Sequence, residues 1–232
     1  MIVCHRYQFI FLKTHKTAGS SLEIALSRFC GEGDILTPFG PDEESLRERP
    51  DYQGAQNYWL PFKSYTRRDW WNLLHGRRRV IPHHFRADQV RELVGETVWN
   101  SYAKLSIERN PWDKAVSLYF YSTRNRSPRP PMMEFYEWAA SKKLLSNFPV
   151  YAIRGQIVAD HIMRYEQLEQ DIARVPEWLG LPEPLDVPHA NSSSRKDKRH
   201  YSQVLGPQER DLISRVCARE ITSFGYEYED QS

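Results

Sequence analysis

Residues Tyr7 to Ser21 read YQFIFLKTHKTAGSS, an apolar run that breaks into a Lys/Thr/Gly/Ser loop and then opens into the helical pattern LEIALSRF. Strand, loop and helix in that order make an anion site. A buried strand aims the loop, small residues let backbone N–H groups approach, and the positive end of the helix dipole attracts negative charge. Lys16 adds a mobile cation beside Thr17, Ala18, Gly19, Ser20 and Ser21, with Lys13 and His15 in the same loop. No GxxxxGK precedes the Ser/Thr pair, and the lysine comes before the glycine, so the loop departs from the nucleotide-triphosphatase pattern. The expected ligand is a phosphate-like group on something other than a Mg-bound triphosphate.

Further along, the same architecture repeats around Arg109. SYAKLSIE predicts a strand, RNP a turn, and WDKAVSLYFYS a helix with proline where the first turn needs no backbone donor. Arg109 then stands at the carboxyl end of a strand, and Ser117 lies about two turns into the next helix. Ligands of open parallel sheets collect outside the carboxyl ends of the strands, so Lys16 and Arg109 are expected to share one crevice. Two separated phosphates suit that pair.

These motifs carry a resemblance. KTHKTAGSSLE followed by RNPWDKAVSLYFY resembles the 5′-phosphosulfate loop and the 3′-phosphate motif of sulfotransferases that use 3′-phosphoadenosine 5′-phosphosulfate (PAPS), in particular the carbohydrate-type branch. DHIMRYEQLEQDI is similar to the strand and helix that follow in that family, and NSSSRKDKRHYSQ with ITSFGYEYE to its C-terminal cofactor loop and closing helix. The resemblance implies that Lys16 contacts the oxygen bridging sulfate and phosphate, that Thr17 to Ser21 wrap the 5′-phosphate, and that Arg109 and Ser117 hold the 3′-phosphate. Lys114 stands where many relatives carry a second arginine. It keeps the charge but loses the two-pronged contact, and Arg195, Lys196 and Lys198 are candidates to share the load. Tyr201, beside that basic loop, either stacks on adenine or anchors the loop by packing.

Sulfuryl transfer rewards in-line positioning and neutralisation of charge on the leaving oxygen, as phosphoryl transfer does. An alcohol acceptor must also lose a proton, and histidine is the usual base near neutral pH. Of eight histidines, His83 and His84 are the candidates: in RRRVIPHHFRADQVREL a short strand at Val80 and Ile81 is expected to end at a proline, with a helix beginning near Ala87. His84 is preferred to His83. His15, inside the anion loop, suits binding or packing. Glu23 has the spacing of a capping-box partner for Ser20, which is preferred to a role as base.

The chain of 232 residues suits one domain, 1–232: an α/β fold with a central parallel sheet of about five strands flanked by helices, a P-loop-like sulfotransferase fold. Its 40% apolar and 27% charged residues are ordinary for a globular protein, and a net charge of +2 gives no global attraction to nucleic acid or membrane. Basic runs at Arg77 to Arg79 and Arg195 to Arg199 stand out; the first reads as solvated surface. Cys4, Cys30 and Cys217 lack CxxC or CxxH spacing, so reduced thiols and no metal are expected. No stretch reaches the ~20 apolar residues of a membrane span, and no signal sequence is evident, unlike the anchored Golgi carbohydrate sulfotransferases. The expectation is a soluble cytoplasmic enzyme.

Residues 31–66 lack a clear period and hold Tyr52, Tyr58, Trp59, Phe62 and Tyr65. Such aromatics either select a sugar or phenolic acceptor or fill a satellite core. The resemblance implies a hydroxyl-bearing saccharide or small molecule as acceptor, with adenosine 3′,5′-bisphosphate as the second product. Two other readings stay open: a nucleotide or metabolite kinase, for which Asp160 and Glu108 are the acids available, and a non-catalytic nucleotide-binding module.

Overall fold

Phe9, Ile10, Phe11 and Leu12 are all fully buried, as a strand covered on both faces requires. In the computed structural model, which describes residues 1–188, 197 and 199–231, this run lies near the middle of a five-stranded sheet. The strands are β1 (Ile2–Cys4), β2 (Phe9–Leu12), β3 (Ile35–Leu36), β4 (Ala103–Glu108) and, after a small hairpin of β5 (Ala152–Ile153) and β6 (Gln156–Ile157), β7 (His161–Arg164). Their order is β3-β1-β2-β4-β7. β2, β4 and β7 are parallel neighbours, and β1 pairs antiparallel with β2 and β3. Four strands therefore point one way, giving a mostly parallel α/β domain in which only β1 departs from the expected direction.

Alternation along β2 sorts the core into two layers. Phe9 and Phe11 join Leu22, Leu26, Leu105, Ile107, Met163, Val175 and Leu179 under the helices Gly19–Ser27 and Leu168–Leu179. Ile10 and Leu12 face Val90, Trp99 and Tyr151 on the other side. A third cluster joins the helices Pro111–Ser122, Met132–Ser141 and Pro207–Val216 through Trp112, Tyr119, Tyr136 and Ile213.

Two expectations are corrected. Val80 forms a single antiparallel bridge with Trp59 instead of a strand of the main sheet, so His83 and His84 follow a loop closure. Glu23 is not the capping partner of Ser20: the helix N-cap is Ala18, in the left-handed region. The Glu23 carboxylate is fully buried among Lys13 Nζ at 3.0 Å, the Met1 ammonium at 2.8 Å and Arg47 at 3.0 Å. Burial opposes its charge, but Lys13 first, with the Met1 amino group and Arg47, outweighs burial and holds the carboxyl below its ordinary range, while burial lowers the Met1 amine itself to about 5. No helix among the described residues is long and apolar enough to cross a membrane.

Candidate donor and acceptor site

All three parallel strands deliver their following segments to one cavity of about 1270 Å³. Lys13 to Ser21 arrive from β2, Arg109 from β4, and Tyr165 to Gln170 from β7. Ser117, His83 and His84 line it as well. The two cationic turns and the paired histidines singled out by the sequence thus face the same space.

The loop after β2 is a tight backbone turn. Lys16 and Ala18 take positive φ values of 57° and 60°, and Thr14 and Thr17 share a hydroxyl hydrogen bond of 2.8 Å. At Gly19 a Cβ would stand 3.1 Å from Lys13 Cγ, so the loop lies directly on the lysine stem. Lys16 Nζ sits 3.6 Å over the Tyr121 ring. Burial, and next the nearby Arg109, lower the Lys16 ammonium to about 8.

Around Arg109 the sequence builds its own socket. Asn110 caps the following helix, its side-chain oxygen accepting from Trp112 N at 3.1 Å and Asp113 N at 3.3 Å, with Pro111 in the first turn. The Arg109 guanidinium pairs with Asp113 at 2.6 Å, donates to the Lys16 carbonyl at 2.9 Å and lies 3.9 Å over the Tyr165 ring.

The histidines form a stacked group. His15 and His84 have ring centroids 3.6 Å apart, and His84 Nδ1 lies 3.0 Å from the Lys13 carbonyl. Donation from that nitrogen leaves Nε2 of His84 with the lone pair. His83 stacks on Phe39, and its Nδ1 has no hydrogen bond to the described residues. Burial is the first cause that lowers all three rings, reinforced by Lys114 at His15, by Lys13 at His83 and by His15 at His84. His15 and His83 fall to about 4, and His84 well below its ordinary value.

Other expected site residues stand elsewhere. Lys13 borders the cavity, but its ammonium is committed to Glu23 and the Phe39 ring. Lys114 is withdrawn from the cavity: it is 2% exposed, with Nζ 3.7 Å from Glu108 and 4.0 Å from Glu220, and it is not part of the cavity wall. Burial works against its charge, yet these acids more than offset burial and raise it. Tyr201 packs instead of meeting the cavity; its ring stacks on Trp112 and its hydroxyl accepts from Glu229 N at 3.0 Å. Arg195, Lys196 and Lys198 lie outside the described residues.

Sequence reasoning missed Tyr121, Phe39 and Asn147. Tyr121 was readable, since it lies four residues beyond Ser117 on the same helix face. Asn147 carried no local signal. It accepts from His15 N at 2.9 Å and donates to the His15 carbonyl, while the Glu220 carboxylate accepts from the Asn147 backbone N–H at 2.8 Å. At the opposite end of the sheet, Cys4 Sγ, Cys30 Sγ and an Asp34 carboxylate oxygen lie within 4.8 Å of one another. Asp34 already accepts from His5 N and Gly31 N, and both thiols face backbone carbonyls.

Fold and cavity define an α/β protein in which two strand-end turns carrying Lys16 and Arg109 face one cavity beside imidazoles whose burial disfavours protonation. Residues 1–227 match the model of the sulfotransferase family, and the chain belongs to that family. An uncharacterized protein of Archaeoglobus fulgidus is 39% identical over 103 residues, which cover 42% of this chain and 84% of that protein. No solved structure matches the chain significantly. The family's chemistry is transfer of a sulfuryl group from a sulfonate donor, in general to a hydroxyl acceptor.

Proposed function

We propose that this chain moves the sulfuryl group of PAPS to a hydroxyl of a carbohydrate or small-molecule acceptor. The observation that carries the reading is the convergence of Lys16, Arg109, Ser117, His83 and His84 on one cavity. Its volume of about 1270 Å³ exceeds the ~300–1,000 Å³ of ordinary ligand pockets, as a nucleotide and an acceptor together require.

In this reading the loop from Thr17 to Ser21 wraps the 5′-phosphate, and Arg109 with Ser117 holds the 3′-phosphate. The bond from sulfur to the phosphate oxygen breaks as the bond from sulfur to the acceptor oxygen forms. Lys16 neutralises the charge released on that phosphate. His84 or His83 takes the acceptor proton; both rings are neutral at pH 7 and so have the lone pair available. The tie between His84 Nδ1 and the Lys13 carbonyl favours His84, because it fixes the ring with Nε2 unprotonated.

A kinase reading fares worse. Asp160 accepts from Lys104 N ahead of β7, at the end of the strand away from the cavity, and Glu108 is buried against Tyr151 and Asn147. Neither borders the cavity. The test is twofold: thermal stabilisation by adenosine 3′,5′-bisphosphate compared with ATP and Mg²⁺, and transfer of labelled sulfate from PAPS to an acceptor panel. Stabilisation by ATP and Mg²⁺ alone would favour the kinase, and donor binding with no transfer to any acceptor a binding module.

A further inference from the structure

Six of the eight large apolar side chains that stand exposed among the described residues fall between residues 59 and 80: Trp59, Phe62, Trp70, Trp71, Leu74 and Val80. The segment is an arm tied at its base. Leu60 N donates to the Arg79 carbonyl at 2.9 Å and Ile81 N to the Tyr58 carbonyl at 2.8 Å, with Leu60 and Ile81 buried in the core. Its outer part is the helix Arg67–Leu74, fixed by a capping box between Thr66 and Asp69. Trp70, Trp71 and Leu74 are three and four residues apart, so they share one helix face. Their exposures are 48%, 63% and 82%.

Charge is concentrated on the same arm. Residues 57–80 hold Lys63, Arg67, Arg68, Arg77, Arg78 and Arg79 against one acid, Asp69, in a chain whose net charge is only +2. Asp69 is itself used by Arg79 and Thr66. A concavity of about 420 Å³ opens among Arg68, Asp69, Asn72 and Arg77 to Arg79, four arginines against one acid. Arg78 also lies 4.9 Å over the Trp59 ring and 5.5 Å over that of Phe62, so cationic and apolar groups form one surface.

We propose that this arm docks on the surface of an anionic lipid bilayer, in a role separate from sulfuryl transfer. Tryptophan rings suit the headgroup level, where the apolar body and the polar N–H are both satisfied, and arginine stems extend along apolar surface to reach phosphates. Exposed aliphatic side chains favour a bilayer over a polyanionic saccharide, because Leu74 and Val80 have no flat face to stack on a sugar and gain only from leaving water. The concavity receives a lipid phosphate. The geometry is interfacial, since the helix Arg67–Leu74 is far too short to span.

The experiment is co-sedimentation of the full chain with vesicles of phosphatidylcholine alone and of phosphatidylcholine with about 30% phosphatidylglycerol, together with quenching of tryptophan emission by brominated phosphatidylcholine in the same vesicles. Binding to the anionic vesicles is expected, weakened roughly tenfold or more by high salt because the attraction is screened, with quenching and little binding to phosphatidylcholine alone. The pair Trp71→Ala, Leu74→Ala and the pair Arg77→Ala, Arg78→Ala should each lower binding at least tenfold while stabilisation by adenosine 3′,5′-bisphosphate is kept. Circular dichroism identifies a variant that fails to fold, and the wild-type salt and quenching series then decides alone. No vesicle binding, binding without quenching, retention on a sulfated-polysaccharide resin without vesicle binding, or self-association abolished by Trp71→Ala in place of vesicle binding would each overturn the proposal.

Discussion

The Arg109 guanidinium donates a 2.9 Å hydrogen bond to the Lys16 carbonyl, joining two cationic turns that lie 93 residues apart in the chain. One side chain therefore both supports the left-handed Lys16 backbone and presents charge to the cavity. Arg109→Ala is expected to weaken adenosine 3′,5′-bisphosphate roughly 10- to 100-fold, the loss of bonds to a charged group worth about 1.5–3 kcal/mol. Arg109→Lys should recover only part of it, since the ammonium cannot donate to Lys16, Asp113 and a phosphate in one plane. Titration calorimetry measures both, and affinity unchanged by either substitution would detach Arg109 from the ligand.

Lys114 lies beneath the site instead of in it. Its ammonium faces Glu108 and Glu220, the two acids that hold Asn147, and Asn147 in turn holds the His15 backbone. Lys114→Met leaves two buried acids without a cation. The expected cost is about 3–5 kcal/mol of stability, or roughly 6–20 °C in melting temperature for a chain of this length, with ligand affinity at 10 °C changed by less than about threefold. A stable variant with a large loss of affinity would return Lys114 to the phosphate.

What the sequence made legible was local. Tyr7 to Ser21 and Ala103 to Ser122 are each contiguous strand, loop and helix, so the periods, the small residues and the proline could all be read without knowing the rest of the fold. β1 and β3 were not legible, being three and two residues long, too short for an alternation to register. Glu23 misled for the opposite reason. Its spacing from Ser20 is a valid cap signal, but Met1, Lys13 and Arg47 converge on it through the tertiary fold, and a local bond does not compete with the buried Lys13 and Arg47 charges joined by the Met1 amino group. His84 was found by its residue type, whereas its orienting partner, the Lys13 carbonyl, is 71 residues away and has no sequence mark.

Glu23→Gln distinguishes these two roles. A lost helix cap costs about 1 kcal/mol. Removing the carboxylate that faces Lys13 and Arg47 should cost about 3–5 kcal/mol, because Lys13 loses its partner and Arg47 keeps only the Glu44 carboxylate, at 3.6 Å. Denaturant unfolding monitored by circular dichroism gives the value. A loss near 1 kcal/mol would mean that the cluster is held by other partners.

The paired histidines separate by variant. Replacing the base should lower turnover about 10²- to 10⁴-fold with donor binding kept, whereas replacing its neighbour should cost far less. His84→Ala is expected to show the large loss and His83→Ala the small one, measured as initial rates of labelled-sulfate transfer. Full turnover in both would remove histidine from the proton transfer.

The pH profile tests the same assignment from the unsubstituted protein. A base works when unprotonated, hence above its own pKa, and His83 and His84 are both pressed down by burial, the former to about 4. Lys16 works when protonated, hence below its pKa, lowered to about 8. kcat/KM for the donor should therefore fall above pH 8, stay level through pH 6.5 and decline only toward pH 4. Stability limits the acid side, with the same sign. Unfolded histidines take up protons from about pH 6.5, before the buried rings do, so between 6.5 and 4 the unfolded state binds more protons and the fold weakens as pH falls. Melting temperatures over that range identify the pH at which loss of folded protein begins, and rates corrected to it report chemistry alone. An acid limb centred near 6.5 in the corrected profile would point to an ordinary exposed histidine as base and away from the stacked pair.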